Sequence, residues 1–574
     1  MAESQLTGKP LRRFFRLLSL ERREITHIYL YAIFSGLIYL SLPLGIQAII
    51  SLVLANQLSS SWALLVGVVT LGTLVVGGLQ LMQISITETI QQQIFTRASM
   101  EIAYRMPRIK MEALTPYYPP ELVNRFFDTL TIQKGLPKIL IDLSTASIQI
   151  LFGLILLSFY HAFFVLFGLI LVLLLFLIFR FSGPRGMATS LEESDTKYQI
   201  AYWLQEIART LTSFKLAGDT DLALRKTDKL VTRYLDARQR HFNVLVFQFG
   251  NIVLFKTFVT AGLLVLGSIL LIQRELNVGQ FVASEIIIIL VINSVEKLIL
   301  SVETIYDVLA GVEKLGKITD MPLERHEGRD FREVNTSHGI GVKFQSLHFQ
   351  FPGEYKVSLQ NINLEIAPGS KVCVAGQSGS GKTTLLNVLS GLYESYQGAI
   401  IYNEIPLSNL DKISLRSYIG DCLSQKNLFR GSIMENLTMG KPEIQLSDVL
   451  WSLEKVGLMR YMQSLPDGLD TQVVPESALM PQGISRKLIL ARCLAKRPQL
   501  LVMDDFFAIW EYEERKRLCE FLTCDEMKTV IAVSNEAVYA AQCDLVIVME
   551  KGAVVATGAY EEISQQAAFT HLFH

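Results

Sequence analysis

The chain has 574 residues, of which 50% are hydrophobic and 19% are charged, and its formal net charge is −1. This composition is too apolar for an ordinary soluble enzyme and too charged for a protein that lies entirely in a membrane. The small net charge gives no reason to expect a nucleic-acid partner. All six cysteines follow residue 372 without CxxC spacing, which argues against a metal site and fits a reducing cytosol.

The N-terminal segment, residues 1–26, predicts an amphipathic helix. The stretch from Lys9 to Leu18 is basic and carries apolar residues at helical spacing. Because no small-residue cleavage site follows a short apolar core, the segment is not typical of a cleaved signal. We expect a helix on the cytoplasmic membrane surface, with a disordered basic tail as the alternative. Only this short segment precedes the first span, so we expect no in-chain leader peptidase.

Six apolar segments are long enough to cross a bilayer, which requires about 20 mostly apolar residues. They predict a transmembrane domain over residues 27–318. The segments run approximately over Ile28–Leu54, Trp62–Met82, Ile139–Tyr160, Phe163–Phe181, Ile252–Ile272 and Phe281–Leu300. Lys and Arg are scarce in the short turns and frequent in the connections 83–138 and 182–251. The positive-inside rule therefore predicts a multi-pass inner or plasma membrane protein whose N-terminus, long connections and C-terminal domain are cytoplasmic.

Both long connections carry apolar residues at helical spacing, so they are expected to extend the spanning helices beyond the lipid. One example is Tyr202–Arg209, and another is the stretch after Pro120 that contains Leu122 and Phe126. Each could present a short transverse helix to the C-terminal domain or remain a solvated loop helix.

Four charged residues lie near or within the predicted spans: Lys256, Glu285, Glu296 and Lys297. Ionisable groups inside a membrane are candidates for function. Lys256, Glu296 and Lys297 are expected at a similar depth toward the inner edge, where snorkelling to water is the alternative role. Glu285 lies nearer the outer end, where it could line a path or pair with Arg274. These charges do not identify a transported species.

The most specific motif is GQSGSGKT, from Gly376 to Thr383, which matches the Walker A pattern G-x-x-x-x-G-K-[ST]. A strand-like run precedes it and a helix-like run follows. Such a loop points backbone N–H groups at phosphate oxygens, at a helix N-terminus that favours anions. Lys382 is expected to reach the β- and γ-phosphates and Thr383 to bind Mg²⁺. The predicted nucleotide-binding loop comprises Gly376, Gln377, Ser378, Gly379, Ser380, Gly381, Lys382, Thr383 and Thr384.

After a charged linker at residues 319–340, residues 341–574 resemble the nucleotide-binding domain of the ATP-binding cassette (ABC) family. With the six spans, the chain is similar to an exporter-type half-transporter of the type I secretion-like branch. The resemblance implies a multi-domain fold, with a six-helix all-α transmembrane domain and an α/β P-loop domain. It also implies ATP and Mg²⁺ as cofactors. The implied partners are membrane lipid, a second half-transporter in a homodimer or heterodimer, a transported substrate and a membrane-fusion protein, but no nucleic acid.

The resemblance assigns roles to three residues outside the Walker A loop. Phe351 takes the position of the aromatic residue that stacks on adenine, with a strand-core role as the alternative. Gln425 takes the Q-loop position, where it contacts Mg²⁺ or the attacking water. Asp504 ends the Walker B strand, where it holds Mg²⁺.

The residues for hydrolysis depart from the family pattern. Asp505 replaces the glutamate that polarises water and is one methylene shorter, and a misplacement of about 1 Å can cost about 10²-fold in rate. Asn535 replaces the switch histidine and cannot carry a positive charge. The signature, which in the family contacts the ATP of the partner, reads Met480, Pro481, Gln482 and Gly483, followed by Ile484. Pro481 removes both a hydroxyl and an N–H donor. A heterodimer therefore cannot assemble a fully standard site, and hydrolysis is expected to be slow.

Two functions remain open at this point. One is an ATP-driven membrane transporter, in particular an exporter, that works as a dimer. The other is an ATP-gated membrane switch or regulatory subunit that binds ATP with little hydrolysis, which the intact Walker A loop beside an altered hydrolytic set favours. A pump requires steady turnover, whereas a switch requires only binding. The architecture does not name the substrate.

Overall fold

The computed structural model describes residues 2–574 apart from 56–59, 161, 335, 337, 424–427, 475–479, 505–506, 508–509, 525–527, 567–568, 570–571 and 574. The chain divides into two compact units. The membrane unit comprises Met1–Pro107 and Tyr117–Met321, and the nucleotide unit comprises Arg108–Pro116 and Pro322–His574. A short piece of the first long connection therefore belongs with the C-terminal domain.

The N-terminal half of the chain is helical. Its helices are α1 (Ala2–Leu20), α2 (Arg22–Leu54), α3 (Ser60–Arg105), α4 (Met111–Leu114), α5 (Pro119–Asn124), α6 (Asp128–Ser158), α7 (Ala162–Arg209), α8 (Leu211–Leu216), α9 (Leu222–Ile272) and α10 (Val278–Thr319). Within the described residues, the six helices α2, α3, α6, α7, α9 and α10 are long and apolar enough to span a bilayer. A helix satisfies its backbone polar groups internally, which a lipid environment requires.

Helices α6 and α10 approach each other closely because small residues lie between them. A Cβ atom on Gly135 would come within 2.4 Å of the Val308 side chain, and one on Gly153 within 2.6 Å of Val291. Small residues of this kind let helix backbones approach in membranes. Gly135 and Gly153 of α6 thus allow α10 to pack closely against that helix.

Helix α1 packs within the membrane unit. Phe14 and Leu17 contact an apolar cluster formed by α2, α3, α6 and α10. Arg13 forms ion pairs with Glu313 of α10 and with Asp320, which directly follows α10. The predicted helix is therefore present, with Phe14 and Leu17 packed on the protein and Phe15 63% exposed, and its position on the membrane surface stays a prediction.

Three of the four charges near the predicted spans are paired in the structure. Lys256 Nζ lies 3.1 Å from Glu296 Oε2, and Lys297 Nζ lies 3.8 Å from Asp142 Oδ1. Asp142, the partner of Lys297, lies on the neighbouring helix α6 and was not predicted from the sequence. No ion pair joins Arg274 to Glu285, both of which the structure describes. Pairing lowers the cost of holding charges near lipid.

The nucleotide unit contains three β-sheets. Their strand orders are β2-β1-β4-β5, β12-β11-β3-β10-β9-β6 and β7-β8 among the described residues. The strands are β1 (Val342–Phe349), β2 (Leu359–Ile366), β3 (Lys371–Ala375), β4 (Tyr396–Tyr402), β5 (Ile405–Pro406), β6 (Ile419–Cys422), β7 (Gly431–Ser432), β8 (Gln472–Val473), β9 (Leu500–Asp504), β10 (Thr529–Val533), β11 (Leu545–Glu550) and β12 (Ala553–Gly558). The helices are α11 (Lys382–Leu389), α12 (Lys412–Tyr418), α13 (Ile433–Thr438), α14 (Leu446–Lys455), α15 (Met459–Ser464), α16 (Gln482–Ala495), α17 (Tyr512–Thr523), α18 (Ala537–Ala540) and α19 (Tyr560–Ser564).

Strand β3 lies in the middle of the six-stranded sheet, parallel to β10 on one side and β11 on the other. All five of its residues are buried, as are those of β9 and β10. Parallel strands covered on both faces require such continuous apolar runs. The predicted fold class, a helical transmembrane domain joined to an α/β P-loop domain, is confirmed.

We predict that Gly135→Val destabilises the membrane unit, because the added side chain would overlap Val308 on α10. Overpacking of this kind typically costs about 1–3 kcal/mol. The measurement is thermal unfolding of the purified protein in detergent. Gly78→Val is the matched control, since a Cβ atom there meets no heavy atom within 4 Å. Equal melting temperatures for the two variants would contradict the close α6–α10 contact.

Candidate functional site

The candidate site begins at the loop between β3 and α11. Gly376 has a backbone φ angle of 149° and Gly381 one of 99°. Residues that carry a side chain rarely adopt such positive φ angles. A Cβ atom on Gly376 would lie 2.4 Å from the Met549 carbonyl oxygen, and one on Gly381 would lie 3.0 Å from the Ser358 carbonyl oxygen. The loop is thus built so closely against β11 and the start of β2 that only glycine fits at these two positions.

The loop lines a cleft of about 510 Å³ in the nucleotide unit. The cleft contains every predicted Walker A residue except Gln377, together with Asp504 and Asn535. Asp504 is the last residue of β9 and Asn535 follows β10, and the pairing of β10 with β3 and β9 brings both residues to the same edge of the sheet. The carboxyl ends of parallel strands are where ligands bind in open α/β sheets.

The Lys382 ammonium group is held over its own loop. It donates hydrogen bonds to the carbonyl oxygens of Gly376 and Gln377, each at 2.7 Å, and to Ser380 Oγ at 3.3 Å. The charge therefore lies where phosphate groups would approach the backbone of a P-loop.

The cleft also holds oxygen ligands that fit a magnesium ion. Thr383 lies in the first turn of α11, and the Asp504 carboxylate ends β9 and is 5% exposed. A hydroxyl and one carboxylate, completed by phosphate oxygens, are the donor set that Mg²⁺ prefers. Gln425, the third predicted ligand, lies outside the described residues.

Asn535 contacts the Walker A loop directly. Its Oδ1 accepts a hydrogen bond from the Gly376 backbone N–H at 3.2 Å, and its Nδ2 donates to the Gly376 carbonyl at 3.4 Å. One amide side chain thus satisfies both backbone groups of the first Walker A glycine. Asp505, the other residue predicted for hydrolysis, lies outside the described residues.

Phe351 packs in an aromatic group at the edge of the first sheet. Its ring centroid lies 4.9 Å from that of Phe349 and 5.4 Å from that of Tyr393. Two residues close to Phe351 in the chain, Glu354 and Lys356, line the cleft. Tyr355, which lies between them in the sequence, is fully exposed. Neither Phe351 nor Tyr355 is among the residues that line the cleft, and of the two only Phe351 was predicted from the sequence to stack on adenine.

The altered signature lies at the start of α16. Met480 packs against the core, whereas Pro481 and Gln482 are exposed. The helix starts at Gln482, and the Ile484 N–H donates to the Pro481 carbonyl at 3.0 Å. A proline is tolerated at this position because its missing N–H would be unsatisfied in any case. The surface that a partner could contact is thus exposed on this chain.

Eight residues that were not predicted for the site from the sequence also line the cleft: Glu354, Lys356, Val357, Ser358, Val533, Ser534, Lys551 and Gly552. The Gly552 N–H donates to the Ser380 carbonyl at 2.9 Å, so the turn between β11 and β12 supports the Walker A loop. The positive φ of Gly552, 84°, follows from this close approach. In the sequence, the position of Lys551 and Gly552 directly after the apolar strand β11 was the signal that could have indicated this turn.

A second contact within the nucleotide unit involves the segment Arg108–Pro116. Lys110 Nζ and Lys412 Nζ both lie 2.6 Å from Glu394, and the Glu112 carboxylate accepts from the Ser395 N–H at 3.0 Å. Burial would raise the pKa of Glu394, but the two lysines outweigh it and hold that pKa below its usual range.

The first long connection divides between the two units. Its helix α4, Met111–Leu114, belongs to the nucleotide unit. The stretch after Pro120, which includes Leu122, forms α5 and belongs to the membrane unit. Tyr202–Arg209 continues the long helix α7. The periodic pattern located helices correctly but did not show which one carries the charges that reach Glu394.

A P-loop nucleotide site joined in one chain to six apolar helices defines a nucleotide-dependent membrane protein. Residues 25–295 match the family model described as "ABC transporter transmembrane region", and residues 359–508 match the model described as "ABC transporter". Together the two matches cover most of the chain. The chain therefore belongs to the ABC transporter family, and the second match implies that the nucleotide unit binds ATP.

Individual relatives share part of the chain. The leukotoxin translocation ATP-binding protein LktB of Mannheimia glucosida is 27% identical over 280 residues, which is 48% of this chain and 39% of LktB. The putative multidrug export ATP-binding/permease protein YgaD of Bacillus subtilis (strain 168) is 24% identical over 285 residues, which is 49% of each chain. The matched region thus spans less than half the length of these relatives.

A solved structure shares the fold over nearly the whole length. It is described as the structure of a bacterial Atm1-family ABC exporter with ATP bound. Its TM-score is 0.82 at 18% identity, and the match covers 96% of this chain and 98% of the other. The likeness supports the architecture of both units.

We predict that either Phe351→Ala or Tyr355→Ala weakens ATP binding at least about fivefold, whereas the other variant leaves it within about twofold. Loss of a ring that stacks on a base costs about 1–3 kcal/mol of binding free energy. The measurement is equilibrium binding of ATP and of inorganic triphosphate, which has no base. A loss seen equally with triphosphate would contradict a stacking role for that ring.

We predict that Lys110 and Glu394 couple energetically across the nucleotide unit. In a double-mutant cycle with Lys110→Met and Glu394→Gln, the two changes should be non-additive by about 1 kcal/mol, because the pair is mostly buried and charge-assisted. The measurement is thermal unfolding of the purified protein. A cycle with the exposed Lys343–Glu365 pair, at 2.7 Å, is the control and should give a smaller coupling. Additive effects at Lys110 and Glu394 would rule out the contact.

Proposed function

We propose that this chain is an ATP-driven exporter that works as a dimer of half-transporters, with its N-terminus and nucleotide unit in the cytoplasm. The observation that carries this proposal is the cleft that brings Lys382, Thr383 and Asp504 together, in a chain with six apolar helices. The likeness to exporters named as such supports the direction of transport. We keep the predicted boundaries 1–26, 27–318, 319–340 and 341–574 as part of the proposal.

The proposed roles within the nucleotide site follow from position and chemistry. Lys382 and the loop N–H groups would bind the β- and γ-phosphates, and Thr383, Gln425 and Asp504 would hold Mg²⁺, which neutralises phosphate charge. Asp505 would orient the attacking water, and Asn535 would contact the γ-phosphate.

The altered signature would complete the site of the second copy. Met480, Pro481, Gln482 and Gly483 would face the nucleotide bound by the partner. In support, Pro481 and Gln482 are exposed, and the Gln482 side-chain amide could replace a lost donor.

A specific observation also supports the second candidate, an ATP-gated switch with little turnover. The Asn535 amide is uncharged and hydrogen-bonds both backbone groups of Gly376. A side chain so engaged can hold the loop for phosphate binding but cannot supply the positive charge of a histidine. Binding would then close the dimer while the cycle stops before hydrolysis.

The cargo would separate two branches of the exporter proposal. The name of LktB concerns translocation of a toxin, and that of YgaD concerns drugs. A polypeptide cargo would call for a membrane-fusion protein as partner, whereas a small apolar cargo would not. Because a fold does not determine function, cargo has to be tested directly.

We predict measurable but slow Mg-ATP hydrolysis by the purified protein in lipid, at least tenfold below that of a standard exporter assayed in parallel. Lys382→Ala is the blank and should abolish it. Nucleotide binding without any turnover, alone or with a co-purifying subunit, would favour the switch over the exporter. Turnover at the standard rate, abolished in the blank, would contradict our view of the altered residues.

We further predict that the double variant Asp505→Glu, Asn535→His hydrolyses ATP at least tenfold faster than the natural chain. Asp505→Glu lengthens the carboxylate side chain by one methylene, and Asn535→His introduces a side chain that can carry a positive charge. A misplacement of about 1 Å can lower the rate of a reaction about 10²-fold. The matched control adds Lys382→Ala to the double variant and should be inactive. An unchanged rate would place the limiting defect elsewhere, with the signature segment as the next candidate.

A further inference from the structure

A cleft in the membrane unit has no role in the nucleotide site. It has a volume of about 270 Å³ and lies between α5, the helical turn that follows it, α7 and α10. The residues that line it are Glu121, Arg125, Asp195, Tyr198, Gln199, Tyr202 and Lys314. Two of these, Arg125 and Lys314, are cationic side chains at 8% and 2% exposure. Buried cations are rare in proteins unless they are paired.

Arg125 is incompletely paired. Its Nε and Nη1 are buried and have no hydrogen-bond partner among the described residues. The Nη2 atom lies 4.0 Å from Glu121 Oε1, which is too long for a hydrogen bond, and the guanidinium carbon lies 5.9 Å from the centre of the Tyr117 ring. A buried guanidinium with two unsatisfied nitrogens costs free energy that folding alone does not recover.

Two carboxylates near the cleft are already engaged, whereas Glu121 makes only the 4.0 Å contact with Arg125. Asp195 is half exposed and pairs with Lys314, with Lys317 4.0 Å away. Asp128 accepts a hydrogen bond from the Tyr198 hydroxyl at 2.5 Å, with Lys197 4.0 Å away. These carboxylates stabilise Lys314 and Tyr198 but leave Nε and Nη1 of Arg125 without an acceptor.

The distance of the cleft from the apolar part of α10 indicates whether a ligand would come from the lipid or from the aqueous phase. Lys314 lies about 20 Å along α10 beyond Leu300, where the apolar stretch ends. The headgroup layer adds only about 5–8 Å on each side of the hydrocarbon core. A lipid headgroup would not reach the cleft, so an anion would have to come from the aqueous phase.

We propose that this cleft binds a small soluble anion of the phosphate class, with Arg125 as its principal donor and Lys314 as a second charge. A phosphate group presents several acceptor oxygens, which suit a guanidinium better than a single carboxylate does. The volume is below the 300–1,000 Å³ that is typical of pockets for larger organic ligands, so the ligand is of the size of phosphate or pyrophosphate. Bound there, it would join α7 to α10 and to the turn at Arg125.

The test uses full-length protein that carries Lys382→Ala, so that the Walker A loop does not bind the probe. The probe is radiolabelled pyrophosphate in equilibrium dialysis, at constant ionic strength set with sodium chloride. We expect saturable binding that Arg125→Gln weakens at least tenfold. Arg238→Gln is the matched control, because Arg238 is an exposed arginine of the same unit, 3.1 Å from Glu193, and should leave binding unchanged. Equal binding by the Arg125→Gln and control proteins would overturn the proposal.

Thermal unfolding of the same proteins separates a ligand site from a structural role. Pyrophosphate should raise the melting temperature of the parent and of the control, and Arg125→Met should remove that response. Without pyrophosphate, Arg125→Met should melt no lower than the parent, because it removes a buried guanidinium that lacks partners. A large loss of stability both with and without the probe would show that Arg125 is structural and overturn the proposal.

Reconstitution distinguishes the two sources of phosphate. Vesicles of phosphatidylcholine and vesicles that also contain phosphatidylglycerol should give the same affinity for pyrophosphate. Stabilisation that depends on phosphatidylglycerol and Arg125, with no response to pyrophosphate, would identify a lipid headgroup and overturn the soluble source. Because every protein in this test lacks Lys382, the result is independent of whether the chain hydrolyses ATP.

Discussion

The close contact between the Walker A loop and the end of β11 organises the nucleotide unit. Gly376 lies against the Met549 carbonyl, and Ser380 is hydrogen-bonded to Gly552 in the turn that follows. These contacts require β3 to lie beside β11, which places β10 on its other side and Asn535 beside the loop. The constraint is one of backbone distance, so it explains why glycines, rather than any particular side chains, are fixed at this edge of the sheet.

The membrane unit meets a different constraint, because lipid provides no partners for polar groups. Its backbone polar groups are satisfied within long helices, and three of the four charges near the spans are paired across helices, as Lys256 on α9 is with Glu296 on α10. Such pairs tie specific helices together at specific depths. The glycines of α6 set how closely α10 can approach that helix, whereas the Lys256–Glu296 pair joins α10 to α9.

The sequence was most informative where a motif or a composition has one physical meaning. A complete Walker A pattern and six apolar runs predicted both units, because few other structures satisfy either pattern. It was less informative where the partner of a surface is decided by tertiary packing. Helix α1 is amphipathic whether lipid or α10 covers it. Helix α4 has only four residues, which is too short to show a helical pattern in the sequence. The ion pair between Lys110 and Glu394 could be recognised only from the structure, because the two residues are far apart in the chain.

The nucleotide site shows why binding and turnover can separate in one chain. Phosphate binding depends on backbone N–H groups, the loop geometry and Lys382, all of which the cleft retains. Hydrolysis depends in addition on the reach of a carboxylate and on a charge beside the γ-phosphate. Asn535 keeps the loop in place through two hydrogen bonds but adds no charge. The function that we propose therefore assigns nucleotide binding to groups that the cleft retains, and it assigns slow turnover to the uncharged side chain of Asn535.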